Sequence, residues 1–286
     1  MKNQKVWFVT GASKGLGLSL VKKLLQEGYH VAATSRNKDE LSAAVGDYHH
    51  FLPLEVDLTS EESINKAVQQ TTEAFGTLDV LVNNAGYGLL GSLEELSDEE
   101  SRKNFDINVF GLLNVIRAVM PVMRENRNGH IFNISSIGGY FAGFPGWGIY
   151  CATKFAVAGL TEALAAEIRP FNVHATVVYP GYFRTEFLSG SIAVSSHTVD
   201  GYTEVRNSQE LHKNEINGNQ PGDPDKAADA LIQLSLEENP VVHLFLGQDA
   251  FDLAKEKIRQ IEKDMETAKD ISVSTGFEVS GLRSAG

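Results

Sequence analysis

The sequence has one cysteine, Cys151, among 286 residues, so no disulfide can close within the chain and nothing calls for an oxidising compartment. Positive charge is scarce as well. Twenty-five Lys and Arg stand against 37 Asp and Glu, a net −12 that repels nucleic-acid backbones and anionic lipid. No uninterrupted apolar run approaches the roughly 18 residues that mark a membrane span. The opening Met1-Lys2-Asn3-Gln4-Lys5 leads into a short apolar stretch without the longer core and cleavage site of a secretory signal. Eight histidines, His49-His50 included, fall at no spacing that suggests a metal site. These absences set the expectation of a cytoplasmic protein with no metal, no nucleic-acid partner and no membrane partner. What is present, 42% hydrophobic and 22% charged residues, is enough to bury a sizeable core.

Short β-branched runs alternate with amphipathic helical stretches, the pattern of a parallel sheet covered by helices on both faces. Strands are predicted at 6–10, 30–34, 51–56, 80–82, 130–134, 173–178 and 242–246. Helical spacing of Leu16, Leu20, Val21, Leu24 and Leu25 precedes Gly28. Further helices are expected at 39–45, from a cap at Thr59 or Ser60 to Phe75, from the Ser97-x-x-Glu100 capping box to Arg124, and from Ile149 to Ile168 ahead of Pro170. No linker interrupts the rhythm before residue 189, so 1–286 reads as one α/β, doubly wound domain of about seven parallel strands. Residues 189–222, rich in Ser, Gly and Asn, read as a substrate lid. The extension 249–286 opens with Phe251, Ala254, Ile258, Ile261 and Met265 at helical spacing, which reads as a packing helix.

Thr10-Gly11-Ala12-Ser13-Lys14-Gly15-Leu16-Gly17 lies where the first strand turns into a helix, so its backbone amides and the helix dipole can face a pyrophosphate. By itself such a turn is also an ordinary tight connection. At the end of the second strand, where a carboxylate would take a ribose diol, the chain has Ser35-Arg36. Arg36 and Lys14 together suit a 2′-phosphate, although most such side chains are simply solvated. Tyr150 and Lys154, four apart at a helix start, share a face on which an ammonium would lower a phenol's pKa. Asn83-Asn84-Ala85-Gly86, Ser136 and Pro180-Gly181 all fall at carboxyl ends of strands, where open α/β sheets bind ligands. Cys151 beside Tyr150 points about 100° away along the helix and reads as a small buried side chain.

With these motifs in this order from Thr10 to Thr185, and a continuation through Gly247-Gln248-Asp249-Ala250, the chain resembles the short-chain dehydrogenase/reductase family. The resemblance implies a Rossmann-like fold and a nicotinamide cofactor. Gly11, Ser13, Lys14, Gly15, Leu16 and Gly17 would hold the pyrophosphate, Ser35 and Arg36 the 2′-phosphate, and Asp57 with Leu58 the adenine. Asn84, Ala85 and Gly86 would support sheet and cofactor, and Pro180, Gly181 and Thr185 the nicotinamide amide. Asn108, Ser136, Tyr150 and Lys154 match the catalytic quartet, with Tyr150 and Lys154 also touching the cofactor and Ser135 competing with Ser136. The expectation is an oxidoreductase that prefers NADP(H) over NAD(H) and interconverts a carbonyl and an alcohol on a small to medium apolar substrate. Aromatic residues around the site, Tyr140, Phe141, Phe144, Trp147, Tyr182, Phe183 and Phe187, would wall it. Related enzymes pair their long helices between subunits, so a homodimer or homotetramer is expected. The alternative is a catalytically silent cofactor sensor on the same fold.

Overall fold

The computed structural model describes residues 5–277. Strand β1 (Val6–Val9) is buried at every position because it sits inside the sheet with helices on both faces. Trp7 and Val9 face one core and Phe8 the other, the period-two alternation of a strand. The glycine turn delivers the chain into α1 (Gly15–Gln26), whose Leu20, Val21, Leu24 and Leu25 are buried as the spacing predicts. β2 (His30–Ser35) follows, then α2 (Lys38–Val45), capped by the Asn37 side chain. β3 (Phe51–Glu55) leads to α3 (Glu61–Phe75), for which Ser60 rather than Thr59 is the cap.

β4 (Val80–Asn83) is followed by a three-residue strand, β5 (Gly88–Leu90), with no counterpart in the sequence reading. The capping box at Ser97 and Glu100 opens α4 (Asp98–Phe105). The single long helix expected from there is broken by a π-helical segment, Asp106–Gly111, before α5 (Leu112–Asn126). Next come β6 (Gly129–Ile134), α6 (Gly148–Ile168) and β7 (Val173–Pro180), the last two residues longer than predicted.

The expected lid is not a bare loop. It runs from the end of α7 (Phe187–Gly190) through β8 (Ile192–Val194), α8 (Thr203–Glu210) and a second π-helical segment, Leu211–Ile216. β8 pairs in parallel with β5, Gly88 against Ile192 to Leu90 against Val194, and this pairing gives the segment its order. The described residues end with α9 (Pro224–Leu234), β9 (His243–Leu246), α10 (Gln248–Thr267) and α11 (Lys269–Val273).

The main sheet is wholly parallel, seven strands in the order β3-β2-β1-β4-β6-β7-β9, with the reversal of winding between β1 and β4. Helices α1 and α9 cover one face, where Trp7, Leu24, Phe132 and Leu231 share a core. On the other face α3, α5 and α6 enclose Phe8, Ile64, Leu81 and Val119.

Two expectations need correction. The packing-helix reading of α10 holds only for its first turns: Ala250 and Ala254 are buried near Ile137, Tyr140 and Phe245, whereas Phe251, Ile258, Ile261 and Met265 are exposed because nothing in the described residues covers them. Part of the 249–286 extension, residues 278–286, lies outside the described residues. By length and composition, the helical runs 98–126 and 148–171 are apolar enough to cross a bilayer, which a count of uninterrupted apolar residues does not reveal. Their inner faces lie instead in the core beneath the sheet.

Candidate active site

Gly11 takes a positive φ of 65° and a Cβ there would stand 2.7 Å from the Ala85 Cα, so only glycine permits this approach of β1's end to β4's end. Asn84 ties the two together. Its amide donates to the carbonyls of Thr10 and Gly11 at 3.1 and 2.9 Å, while the Thr10 hydroxyl accepts from the amides of Asn84 and Ala85. The result is a fixed, side-chain-free ledge at the start of α1, where the orphan N–H groups of a helix face outward.

A cavity of about 720 Å³ opens from this ledge along the carboxyl ends of the strands. It is lined by Gly11, Ser13, Lys14, Gly15, Leu16, Ser35, Arg36, Asp57, Leu58, Asn84, Ala85 and Gly86, and farther along by Ser136, Tyr150, Lys154, Pro180, Gly181 and Thr185. Two expected residues stand behind the wall. Gly17 lets α1 pack on Gly11 and Asn84, where a Cβ would come within 2.6 Å of the Gly11 carbonyl. Asn108, in the π-helical segment, clamps the backbone of Tyr87, accepting from its N–H and donating to its carbonyl, both at 3.0 Å. It also donates to the Thr153 hydroxyl at 3.1 Å, and Thr153 donates to the Tyr150 carbonyl. Asn108 thus braces the turn of α6 that carries Tyr150 and Lys154.

The structure separates the two neighbouring serines. Ser135 is buried and its hydroxyl donates to the Lys154 carbonyl at 2.8 Å, a brace between β6 and α6. Ser136 lines the cavity beside Tyr150 and accepts from the Gly138 amide at 3.0 Å. The Lys154 ammonium donates to the Ile134 carbonyl at 2.8 Å and stands 5.8 Å from the centre of the Tyr150 ring. Burial pushes Lys154 down to about 8. The Tyr150 phenol, expected to be lowered by the ammonium, is raised: burial outweighs the opposing influence of the nearby Ser136 hydroxyl. Cys151 is buried, its thiol pushed up to about 12 by burial, which suits a packing role.

At the end of the cavity beside β2 and β3, Asp57 accepts from both the amide and hydroxyl of Thr59, which holds its carboxyl below the usual range. Arg36 is exposed at the end of β2, and the Lys14 ammonium donates to the Gly190 carbonyl at 2.5 Å. At the opposite end Asp249, quoted in the sequence without a role, accepts from the Tyr182 amide at 2.7 Å and fills the space against Gly181, fixing the loop after β7. Trp147, His212 and Gln220 also line the cavity and were not singled out as polar groups, because the fold brings them together from positions up to 73 residues apart. The residues fit a dinucleotide: the ledge at Gly11, where a Cβ would collide with Ala85, is continuous with the cavity. No group of three metal-ligating side chains occurs among the described residues.

Comparison with known proteins agrees with this geometry. The profile of the family described as short chain dehydrogenase matches residues 5–193. A 3-ketodihydrosphingosine reductase of Bacteroides thetaiotaomicron is 38% identical over 246 residues, covering 85% of this chain and 88% of its own. The crystal structure of a short-chain dehydrogenase from Streptomyces avermitilis superposes with a TM-score of 0.88 at 34% identity, covering 97% of this chain and all of the other. A 3-ketoacyl-(acyl-carrier-protein) reductase from Brucella melitensis, complexed with NADH, superposes with a TM-score of 0.69 at 26% identity over 85% of this chain and 97% of the other.

Proposed function

The chain belongs to the short-chain dehydrogenase family and is a nicotinamide-dependent oxidoreductase, and from that premise we propose that it interconverts a ketone and a secondary alcohol with NADP(H). The observation that carries this reading is the cluster of Ser136, Tyr150 and Lys154 on the same cavity as the glycine ledge. When bound, the reduced nicotinamide supplies the hydride. Everything else is asked of the side chains. Ser136 holds the substrate oxygen beside the Tyr150 hydroxyl, and Tyr150, kept protonated by its burial, donates the proton that the forming alkoxide requires. Lys154, anchored on the Ile134 carbonyl, presents its positive charge to Tyr150 and eases loss of that proton. Asn108 keeps both in place through Thr153.

The names of two relatives specify ketone reduction, which supports the substrate class. Preference for the phosphorylated cofactor rests on Arg36 and Lys14 at the adenine end of the cavity, with no carboxylate at the position after Ser35. The single buried cysteine suits work in the reducing cytoplasm. The test is a fall in NADPH absorbance with a panel of aldehydes, cyclic ketones, steroids and 3-oxoacyl thioesters. Steady consumption with one class, abolished in Tyr150→Phe, supports the reading, and no consumption with any would overturn it.

A further inference from the structure

Helix α10 begins as part of the core and then leaves it. Ala250 and Ala254 are buried near Ile137, Tyr140 and Phe245, but beyond Ala254 no residue of the helix is buried. The remainder, residues 255–267, is about 20 Å of helix at 1.5 Å per residue, and all of it except Lys257 is exposed. A helix surrounded by water needs no apolar side, yet this one carries one. Phe251, Ile258 and Met265 recur every seven residues, and Ala254, Ile261 and Ala268 follow each of them by three, the a and d spacing of helices that pair. Ala254 is spent on the chain's own core, whereas Phe251, Ile258, Ile261 and Met265 are exposed, Met265 by 67%.

The charges beside this stripe fall in opposite blocks. Lys255 and Lys257 stand on its two sides in the first heptad, and Glu262 and Asp264 take the same two places in the second. None of the four has an ion-pair partner among the described residues.

We infer that the stripe is where a second copy of the chain docks, its α10 laid antiparallel against the first. With a twofold axis midway between Ile258 and Ile261, each Ile258 meets Ile261 of the second copy, Ala254 lies level with its Met265, and Phe251 with its Ala268. Large side chains thus face small ones at both ends, where a parallel pair would set Ala254 on Ala254 and Ala268 on Ala268 and leave gaps. In the same register Lys255 meets Glu262 of the second copy and Lys257 its Asp264, and the symmetry repeats both pairs. A slip of one heptad either way sets the lysines, or the carboxylates, against themselves, so the charges select one register. Lipid is a poorer occupant, because Glu262 and Asp264 border the stripe where a lipid-binding helix carries cations. A seam of two heptads is marginal between single chains, but two seams closing together between dimers reinforce each other. Of the two assemblies expected, dimer and tetramer, the stripe therefore specifies the tetramer.

Light scattering at micromolar concentration tests this. The wild type should weigh four times 31.2 kDa. Lys255→Glu with Lys257→Glu makes all four charges negative, Glu262→Lys with Asp264→Lys makes all four positive, and each double variant alone should show half the wild-type mass. An equimolar mixture of the two should regain the full mass, which shows in addition that both variants are folded. Ile261→Lys with Met265→Lys should halve the mass by breaking the apolar seam. None of these residues lines the cavity, so NADPH binding should be unchanged in every variant. A wild-type mass below four chains, variants that keep the wild-type mass, or a mixture that stays at half would each overturn the seam.

Discussion

Tyr150 lies where burial opposes ionisation, so its hydroxyl holds a proton until reaction creates a strong base beside it. Replacement by Phe keeps the ring packed against Trp147 and Phe187 and removes only the hydroxyl. Turnover should drop by about 10²–10⁴-fold with cofactor affinity little changed, and a folded Tyr150→Phe variant with near wild-type turnover would remove Tyr150 from the chemistry. Ser136→Ala should lose more activity than Ser135→Ala, while Ser135→Ala should cost more stability, because Ser135 spends its hydroxyl on the Lys154 carbonyl. Arg36 belongs to a different balance. A hydrogen bond from a charged group contributes about 1.5–3 kcal/mol, reduced by screening at this exposed position, so Arg36→Ala should weaken NADPH about 10-fold and NADH far less. Titration of both cofactors checks this, and equal losses for the two would show that Arg36 does not face the 2′-phosphate.

Among the elements, those that local pattern specifies were legible and those made by distant pairing were not. The Ser97 capping box, the helical stripe of α1 and the buried run of β1 each announce themselves within a few residues. β5 and β8 are three residues each and lie about 100 residues apart, so neither carries a signal until the fold aligns them. Residues 189–222, the proposed lid that these strands help to order, are fastened by two carboxylates from the segment before and at the start of α4. Glu95, its side chain fully buried, accepts from the amides of Val199 at 3.0 Å and Ser92 at 2.8 Å and pairs with Arg206. The Val199 amide, then the Ser92 amide and hydroxyl, hold its carboxyl down at about 2. Glu100, held at about 2 by Ser97 and Ser196, accepts from the Ser196 amide at 3.0 Å. Both folded values lie below the ordinary 4.5, so the lid's attachment is complete above that pH and is lost as pH falls from there toward 2. Glu95→Gln should therefore loosen the lid at neutral pH. Limited proteolysis within 195–206 should quicken and KM for the carbonyl substrate should rise several-fold, and an unchanged cleavage pattern with unchanged KM would mean the lid is held elsewhere.

At the scale of the whole molecule, the alternation of buried strands and helices was readable because a parallel sheet covered on both faces demands it, but a sequence cannot show which helix faces stay bare. The two apolar runs 98–126 and 148–171 bury their inner faces against the sheet and are adjacent through the π-helical segment and α6. Their outer faces hold Phe110 and Phe155, 53% and 41% exposed. Large apolar side chains on neighbouring helices cost free energy in water that a second copy of the same face would recover, and a twofold axis through such a face is the commonest way chains close an assembly. Association through these helices is therefore the expected state. Light scattering at micromolar concentration should give an integral multiple of 31.2 kDa. Phe110→Glu with Phe155→Glu should shift the protein to a monomer with its helical content intact, because neither ring is part of the buried core. A wild-type mass of 31.2 kDa, or a double variant that remains assembled, would show that this face is not where copies of the chain meet.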